Sequence, residues 1–547
     1  MKVLIKNGNI IDGTGSPAFQ ADILVEDDKI IKIGSEINCE KCEIIDALNK
    51  VVSPGFIDMH SHGDLTILDV NKAEPSIMQG VTTINVAMCG LGLAPANEKV
   101  KEYYFNFVNK AFSASSELYD NLEQFFNAIE KKGVSINLSF FIPHGNVRAY
   151  VLGTKERKAN ESEMTIMKKI VRENMEAGAY GLSTGLVYPP GSVTPTSELI
   201  ELSKIVSEYN GLYMSHMRNE GSGVIDEGMS ELVSIAKEAD VKAHISHWSV
   251  ISKYAYKMTP DVIQYIQNAR GKENLKITAD ITTYNDGCTS LSFFLLSQWV
   301  YENFNENLTN PQSRKKLINE IFEKIRAIFL ADAPFYIKII PKFILKKLIF
   351  KGMSKGVRIV SVDYNTDIEG MTLYDALQKL YPTQKIEEAL LDLIKEEKGS
   401  ILIQIKHKDE EKSVIPLFKQ DFVCPSSDGF LVVDQNTHPR SYGAFPRVLE
   451  RWVREMDVIP LEEAIRKMTS LPASILGLTD RGLIKEGYKA DIVVYDPEII
   501  KEKGTIKDGR QYPEGVDYVL VNGAITVKKG NHTGALNGKI LKNKLKR

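Results

Sequence analysis

Between Val51 and Gly429 the chain repeats one pattern: a short apolar run ends abruptly in a reactive side chain, and helical patterns separate the runs. The first, Val51 to Ile57, leads through Asp58 to His60 and His62. Later runs end at Cys89-Gly90, His144, Thr184-Gly185, His216, His247, Asp280 with Tyr284 just beyond, and Asp428-Gly429. Strands alternating with helices are the pattern of a parallel sheet. Eight such units fit a (β/α)8 TIM barrel, an α/β fold whose active site is assembled at the C-terminal ends of its strands. Of the nine histidines, His60, His62, His144, His216, His244 and His247 lie in or at the end of these runs.

The two ends of the chain read differently. Residues 1–53 carry short alternating strands such as Val3-Leu-Ile5, Ala21 to Val25 and Lys29 to Gly34, and residues 480–547 repeat this texture in Ala490 to Tyr495, Tyr518 to Gly523 and Ile525 to Val527. Together they predict one small β-sandwich domain built from both termini, flanking a barrel over 54–479. About 140 residues separate the seventh and eighth runs, far more than a βα loop needs. The stretch 291–415 is therefore an insertion at the catalytic face, with helices expected near Asn310 to Ile321 and Thr383 to Lys398. It reads as a substrate lid, with packing on the barrel rim or contact in a homo-oligomer as its other uses.

Net charge is −3, with acidic and basic residues interspersed, which gives no nucleic-acid surface. Five cysteines form a sparse, odd set that points to a reducing compartment, and Cys39 and Cys42 read as exposed thiols. The first residues enter a strand pattern without an apolar leader, and no run reaches the roughly 18 apolar residues of a membrane span. Phe335 to Phe350 comes nearest but is broken by lysines and Pro341, an amphipathic segment. A cytoplasmic location is expected.

In an extended chain, residues i and i+2 share a face, so His60 and His62 can reach one ion. Nitrogen and sulfur donors select zinc among common divalent ions. Cys89, His216 and His247 supply three ligands of a tetrahedral site whose fourth position is left to water, and zinc lowers the pKa of that water towards about 7. His60 and His62 add a second position. Asp428 stands where a general acid/base belongs. Singly, each has another reading: Cys89 as a small buried apolar group, His216 as a core histidine, Asp428 as a helix cap. His244 faces the other side of its strand from His247, outward or behind the ligands, and His407 lies in a charged run.

These residues resemble a known family. Pro54-Gly-Phe-Ile-Asp-Met-His-Ser-His62 resembles the opening metal motif of the amidohydrolase superfamily. More specifically, the chain is similar to the N-acyl-D-amino-acid deacylases (D-aminoacylases). The likeness runs through Gly80-Val-Thr-Thr with Cys89-Gly90, Gly181-Leu-Ser-Thr-Gly185 with Tyr188-Pro-Pro190, and His216-Met-Arg-Asn-Glu-Gly221. It continues in Ile245-Ser-His247, Ser427-Asp-Gly429, His438-Pro-Arg440, Phe445-Pro-Arg447 and Gly487 to Pro497, and is weakest over about 300–415. The resemblance implies zinc-dependent hydrolysis of an N-acyl-D-amino acid. Cys89, His216 and His247 would hold the tighter zinc, His60 and His62 a second site, and Asp428 would be the acid/base. Arg440 would pair with the substrate carboxylate, and Tyr188, Tyr284 and Ser290 would line its pocket. Two positions depart from the family: Ser246-His-Trp-Ser249 replaces Ser-His-His-Lys, removing a lysine that helps hold the carboxylate, and Met88 replaces an asparagine. Lys253 lies close in sequence. These changes leave two alternatives, a cyclic amide or other N-acyl substrate, and a non-catalytic binding or assembly protein.

Overall fold

The computed structural model of the chain describes residues 2–109, 115, 117–153, 155–251, 255–331, 340–406 and 409–544. His407, Lys253 and the first part of Phe335 to Phe350 lie outside the described residues. The eight apolar runs become eight parallel strands. They are Phe56–Asp58, Val81–Val86, Asn137–Phe140 continued by Ile142–Pro143, Gly181–Gly185, Leu212–His216, Lys242–Ile245, Ile277–Thr282 and Val423–Ser426, here barrel strands one to eight. Strands one to three pair in one sheet and three to eight in another. A parallel bridge between Ser61 and Gly429 joins strand eight back to strand one. There His62 N–H donates to Gly429 O at 2.8 Å and Asp428 N–H to His60 O at 2.8 Å. Closing the circle thus sets the first and last motifs of the chain side by side.

Helices between the strands are locally specified. Glu161–Ala177 begins with a capping box in which Asn160 accepts from Glu163 N–H and Glu163 from Asn160 N–H, and Gly178 ends it in the left-handed region at φ 116°. His144, at the end of the third run, has buried partners of its own. It opens the helix His144–Leu152, and its Nε2 lies 3.1 Å from Glu198 Oε1, while Arg148 holds Oε2 of the same carboxylate at 2.6 Å. All three are buried.

Both chain ends supply one nine-stranded sheet. It includes Lys2–Ile10, Phe19–Glu26, Lys29–Gly34 and Val51–Pro54 from the start, and Ile492–Tyr495, Val516–Val521 and Ala524–Lys528 from the end. Ile492 and Val494 join its own apolar cluster, with Val3, Ile5, Ile23 and Val52, whereas Val493 and Tyr495 point into the barrel's core beside Phe56. Being buried on both faces explains why Ile492-Val-Val-Tyr495 is uniformly apolar instead of alternating. Ile540–Leu541 departs from the sequence pattern that grouped it with this sheet. It pairs parallel with barrel strand three, Ile540 opposite Leu138, and Asn543 N–H donates to Gly178 O at 2.9 Å.

Between strands seven and eight lies a three-stranded antiparallel sheet of Asp286–Ser290, Ile401–Lys406 and Val357–Val362. Helices Pro311–Ala331, Lys342–Gly356, Leu373–Leu380 and Ile386–Glu396 accompany it. Cys39 and Cys42 are joined as a disulfide, which corrects the reading of two exposed thiols: the loop brings their Cα atoms to 5.8 Å, within bridging range. Cys89, Cys288 and Cys424 are free. Among the described residues no helix is long and apolar enough to cross a membrane.

Burial works against a charged Glu198, but His144 and Arg148 outweigh it and hold the carboxyl below its ordinary value of 4.5. Its contribution is therefore present above that pH and is lost as pH falls through the lower folded-state value. Glu198→Ala leaves the buried Arg148 unpaired and is expected to lower stability by about 3 kcal/mol at pH 7. Denaturant titration of both proteins should show the difference shrinking towards pH 3 (about one unit below the ordinary value); an unchanged difference would refute the assignment.

Candidate metal centre

The site begins as backbone geometry. Cys89, His247 and Asp428 have φ of 54°, 35° and 47°, the left-handed region that side-chain-bearing residues avoid. Each follows a barrel strand, and the reversal turns its side chain into the barrel mouth. The Cys89 turn is pinned on both sides. Ala87, itself at φ 63°, donates its N–H to Asp64 Oδ1 at 3.2 Å, and Ser183 Oγ donates to Ala87 O while accepting from Gly90 N–H.

Around Cys89 Sγ stand His60 Nε2 at 3.3 Å, His247 Nε2 at 3.6 Å and His216 Nδ1 at 3.8 Å. Asp428 Oδ1 is 3.2 Å from His62 Nε2 and 3.6 Å from His60 Nε2, and its Oδ2 is 2.9 Å from Arg440 Nη1. All five histidine and cysteine residues expected to bind metal therefore meet in one pocket, with Asp428 and Arg440 against them. Tyr188 belongs here too: its hydroxyl donates to Cys89 O at 2.7 Å and its ring meets those of His216 and Phe293. Two other expected pocket residues have their hydroxyls engaged. Tyr284 O–H is bonded to Glu502 beneath the Arg447 guanidinium, and Ser290 Oγ accepts from Phe293 N–H as a helix cap.

Two carboxylates beyond the expected set orient the imidazoles. Glu220 Oε1 lies 3.1 Å from His247 Nδ1, the nitrogen opposite the one facing Cys89. Asp280 is shared more widely. Its Oδ2 is 3.4 Å from His60 Nδ1 and 3.1 Å from His244 Nε2, and its Oδ1 accepts from His247 N–H at 3.0 Å and Ser426 O–H at 2.5 Å. His244 is thus buried behind the ligand residues, its Nδ1 2.7 Å from Thr278 Oγ1. Glu220 lies four residues after His216, and Asp280 ends the seventh run; acidic residues at those places were the available signal. Asp58 does similar work at the barrel seam, accepting from His60 N–H at 3.2 Å and Ser427 N–H at 3.0 Å, and burial raises its carboxyl to about 6.

The electrostatics show a pocket suited to a cation. Burial disfavours a Cys89 thiolate, yet His60, His216 and His247 overcome it and hold the thiol well below its ordinary value. Burial likewise opposes charge on Asp428, and Arg440, His62 and the other histidines outweigh it. In return His60 is raised to about 10 against burial, by Cys89 and Asp280, and His247 upward by Glu220 and Cys89. Buried negative groups are drawing in positive charge. A tetrahedral ion with metal–sulfur and metal–nitrogen bonds of about 2.3 and 2.0 Å separates its ligands by about 3.5 Å, close to the Cys89–His216 and Cys89–His247 spacings. Carboxylates on the far nitrogens are the usual support of metal-binding histidines. The donor set fits a divalent metal.

The amidohydrolase family model matches residues 43–191 and 419–527. D-aminoacylase from Alcaligenes xylosoxydans xylosoxydans is 29% identical over 539 residues, 98% of this chain and 97% of that protein. A crystal structure of D-aminoacylase matches with a TM-score of 0.80 at 26% identity, covering 99% of each chain. The chain is an amidohydrolase, similar over nearly its whole length to D-aminoacylase. A further structure, N-acyl-D-glutamate deacylase from Bordetella bronchiseptica with zinc and a phosphonate inhibitor, matches at 0.81 and 26%, again over 99% of each chain.

Within this amidohydrolase, Asp280→Asn replaces an acceptor by an amide that cannot accept from all four donors. We expect an intact fold by circular dichroism and metal affinity reduced about 10- to 100-fold, measured by chelator competition. Unchanged affinity would remove Asp280 from any positioning role.

Proposed function

We propose that this amidohydrolase cleaves the amide bond of N-acyl-D-amino acids, releasing a carboxylate and the free amino acid. The observation that carries the reading is the contact between Arg440 and Asp428 at 2.9 Å. It places a buried guanidinium, suited to an α-carboxylate, one side chain away from the acid/base and the metal-binding cluster. The likeness to D-aminoacylase and N-acyl-D-glutamate deacylase over nearly the full chain supports the same substrate class.

Zinc held by Cys89, His216 and His247, with His60 and His62 at a second position, would supply Lewis-acid activation of water and of the amide carbonyl. The protein's own groups do the rest. Asp428, kept ionised chiefly by Arg440 against burial, accepts the proton of the attacking water and returns it to the leaving nitrogen. Arg440 turns to the substrate carboxylate, and its Nη2, 3.4 Å from Cys288 O, ties that binding to the inserted sheet. Tyr188 bounds the pocket beside Cys89 and His216. Ser249 replaces the family lysine, so in this reading Arg440 carries the carboxylate without that second cation.

Asp428→Asn is expected to lower kcat by about 100- to 10,000-fold, the loss of general acid–base assistance, while metal content by elemental analysis stays at the wild-type level. Full turnover in that variant would reject Asp428 as acid/base. Chelated enzyme should be inactive and recover on addition of Zn2+. N-acetyl D- and L-amino acids and a hydantoin, assayed side by side, test the substrate: activity on the hydantoin alone would replace this proposal with the cyclic-amide reading.

A further inference from the structure

The inserted helix Lys342–Gly356 exposes large apolar side chains in one short stretch: Phe343 is 76% exposed, Ile344 42% and Leu348 50%. Ile344 and Leu348 are four residues apart and so adjacent on one helix face, and Lys347, Lys351 and Lys355 follow on that same side by the helical repeat. The opposite side, through Leu345, Ile349 and Phe350, is buried. Of the helix's five lysines, Lys347, Lys351 and Lys355 lie on this face, while Lys342 pairs with Glu323 at 2.7 Å; the helix itself holds no acidic residue, in a chain whose overall charge is −3. A helix facing only water has no use for exposed Phe, Ile and Leu, and a purely apolar partner has none for lysines. Apolar and cationic groups on one face, without acid, match a surface that is apolar beneath an anionic layer.

We infer that the outer face of this helix is a docking surface for an anionic lipid bilayer. Phe343, Ile344 and Leu348 enter the boundary between headgroups and acyl chains, and the lysines reach the lipid phosphates along their own aliphatic stems. At fifteen residues, about 22 Å, the helix lies in the interface plane and is too short and too charged to span it. The seat is connected to the catalytic centre. The helix leads into Val357–Val362, which pairs with Ile401–Lys406, which pairs with Asp286–Ser290, where Cys288 O accepts from Arg440.

The test is sedimentation of the full-length metal-loaded enzyme with vesicles of equimolar phosphatidylglycerol and phosphatidylcholine, and with vesicles of phosphatidylcholine alone. Binding is expected to the anionic vesicles only, weakening roughly tenfold between about 0.05 M and 0.5 M salt. The triple variant F343S/I344S/L348S should bind at least about tenfold more weakly, and Lys347→Gln with Lys351→Gln should flatten the salt dependence, both with wild-type turnover of a soluble substrate. Absence of wild-type binding to anionic vesicles at low salt overturns the proposal, as does equal binding by the triple variant. So does a triple variant that changes the oligomeric state of an enzyme that binds no lipid, which would make this face an interface between copies of the chain.

Discussion

The arrangement of the metal centre depends on one buried carboxylate. Asp280 lies within barrel strand seven and meets groups on or just past strands one, six and eight: the His60 ring, the His244 ring, the His247 backbone and the Ser426 hydroxyl. A carboxylate has about four acceptor positions; here three lie within hydrogen-bond distance of His244, the His247 amide and Ser426, and His60 Nδ1 stands 3.4 Å away. Burial would normally push the proton back onto such a group, but His60 and His244 draw it far the other way. A charged Asp280 stands at Nδ1 of His60, leaving its Nε2 to face Cys89, as Glu220 at Nδ1 of His247 leaves that ring's Nε2 to face Cys89. Seven strands could carry their residues to the mouth of the barrel and still miss a common point; this carboxylate sets where they meet.

The second constraint is conformational. Cys89, His247 and Asp428 occupy left-handed backbone, which costs each on the order of 1–3 kcal/mol. Neighbouring hydrogen bonds hold them there: Asp64 and Ser183 around Cys89, Asp280 on the His247 amide, and His60 O on the Asp428 amide. The proposed ligand residues and acid/base are thus built into hydrogen-bonded turns, the arrangement by which a hydrolase gains from preorganisation.

The small sheet serves the same end from outside. Its strands from both chain ends present alternate residues to two cores, so Val493 and Tyr495 are as much part of the barrel's interior as Phe56. The strand Val51–Pro54 pairs with Ile492–Tyr495 and runs directly into the His60 motif. The first ligand pair is therefore anchored by residues more than 400 positions away in sequence.

Hydrophobic run length, strand–helix alternation and reactive residues at the run ends were sufficient for the barrel, and the order of those residues for the ligand candidates. Local chemistry does this because a short strand must end, and the residues just past its end must lie at the barrel's mouth. The partners of His144, Glu198 directly and Arg148 through it, are set only by folding. Nor could the sequence assign Glu220 and Asp280, whose value lies in partners that are remote along the chain. Likewise the partners of Tyr284 and Ser290, Glu502 and the Phe293 amide, are set only by the fold, and Ile540–Leu541, near the end of the stretch read as small β domain, pairs with strand three. Periodicity is written in neighbouring residues and survives in one dimension. Hydrogen-bond partnership is decided by distance in space, which the tertiary structure alone supplies.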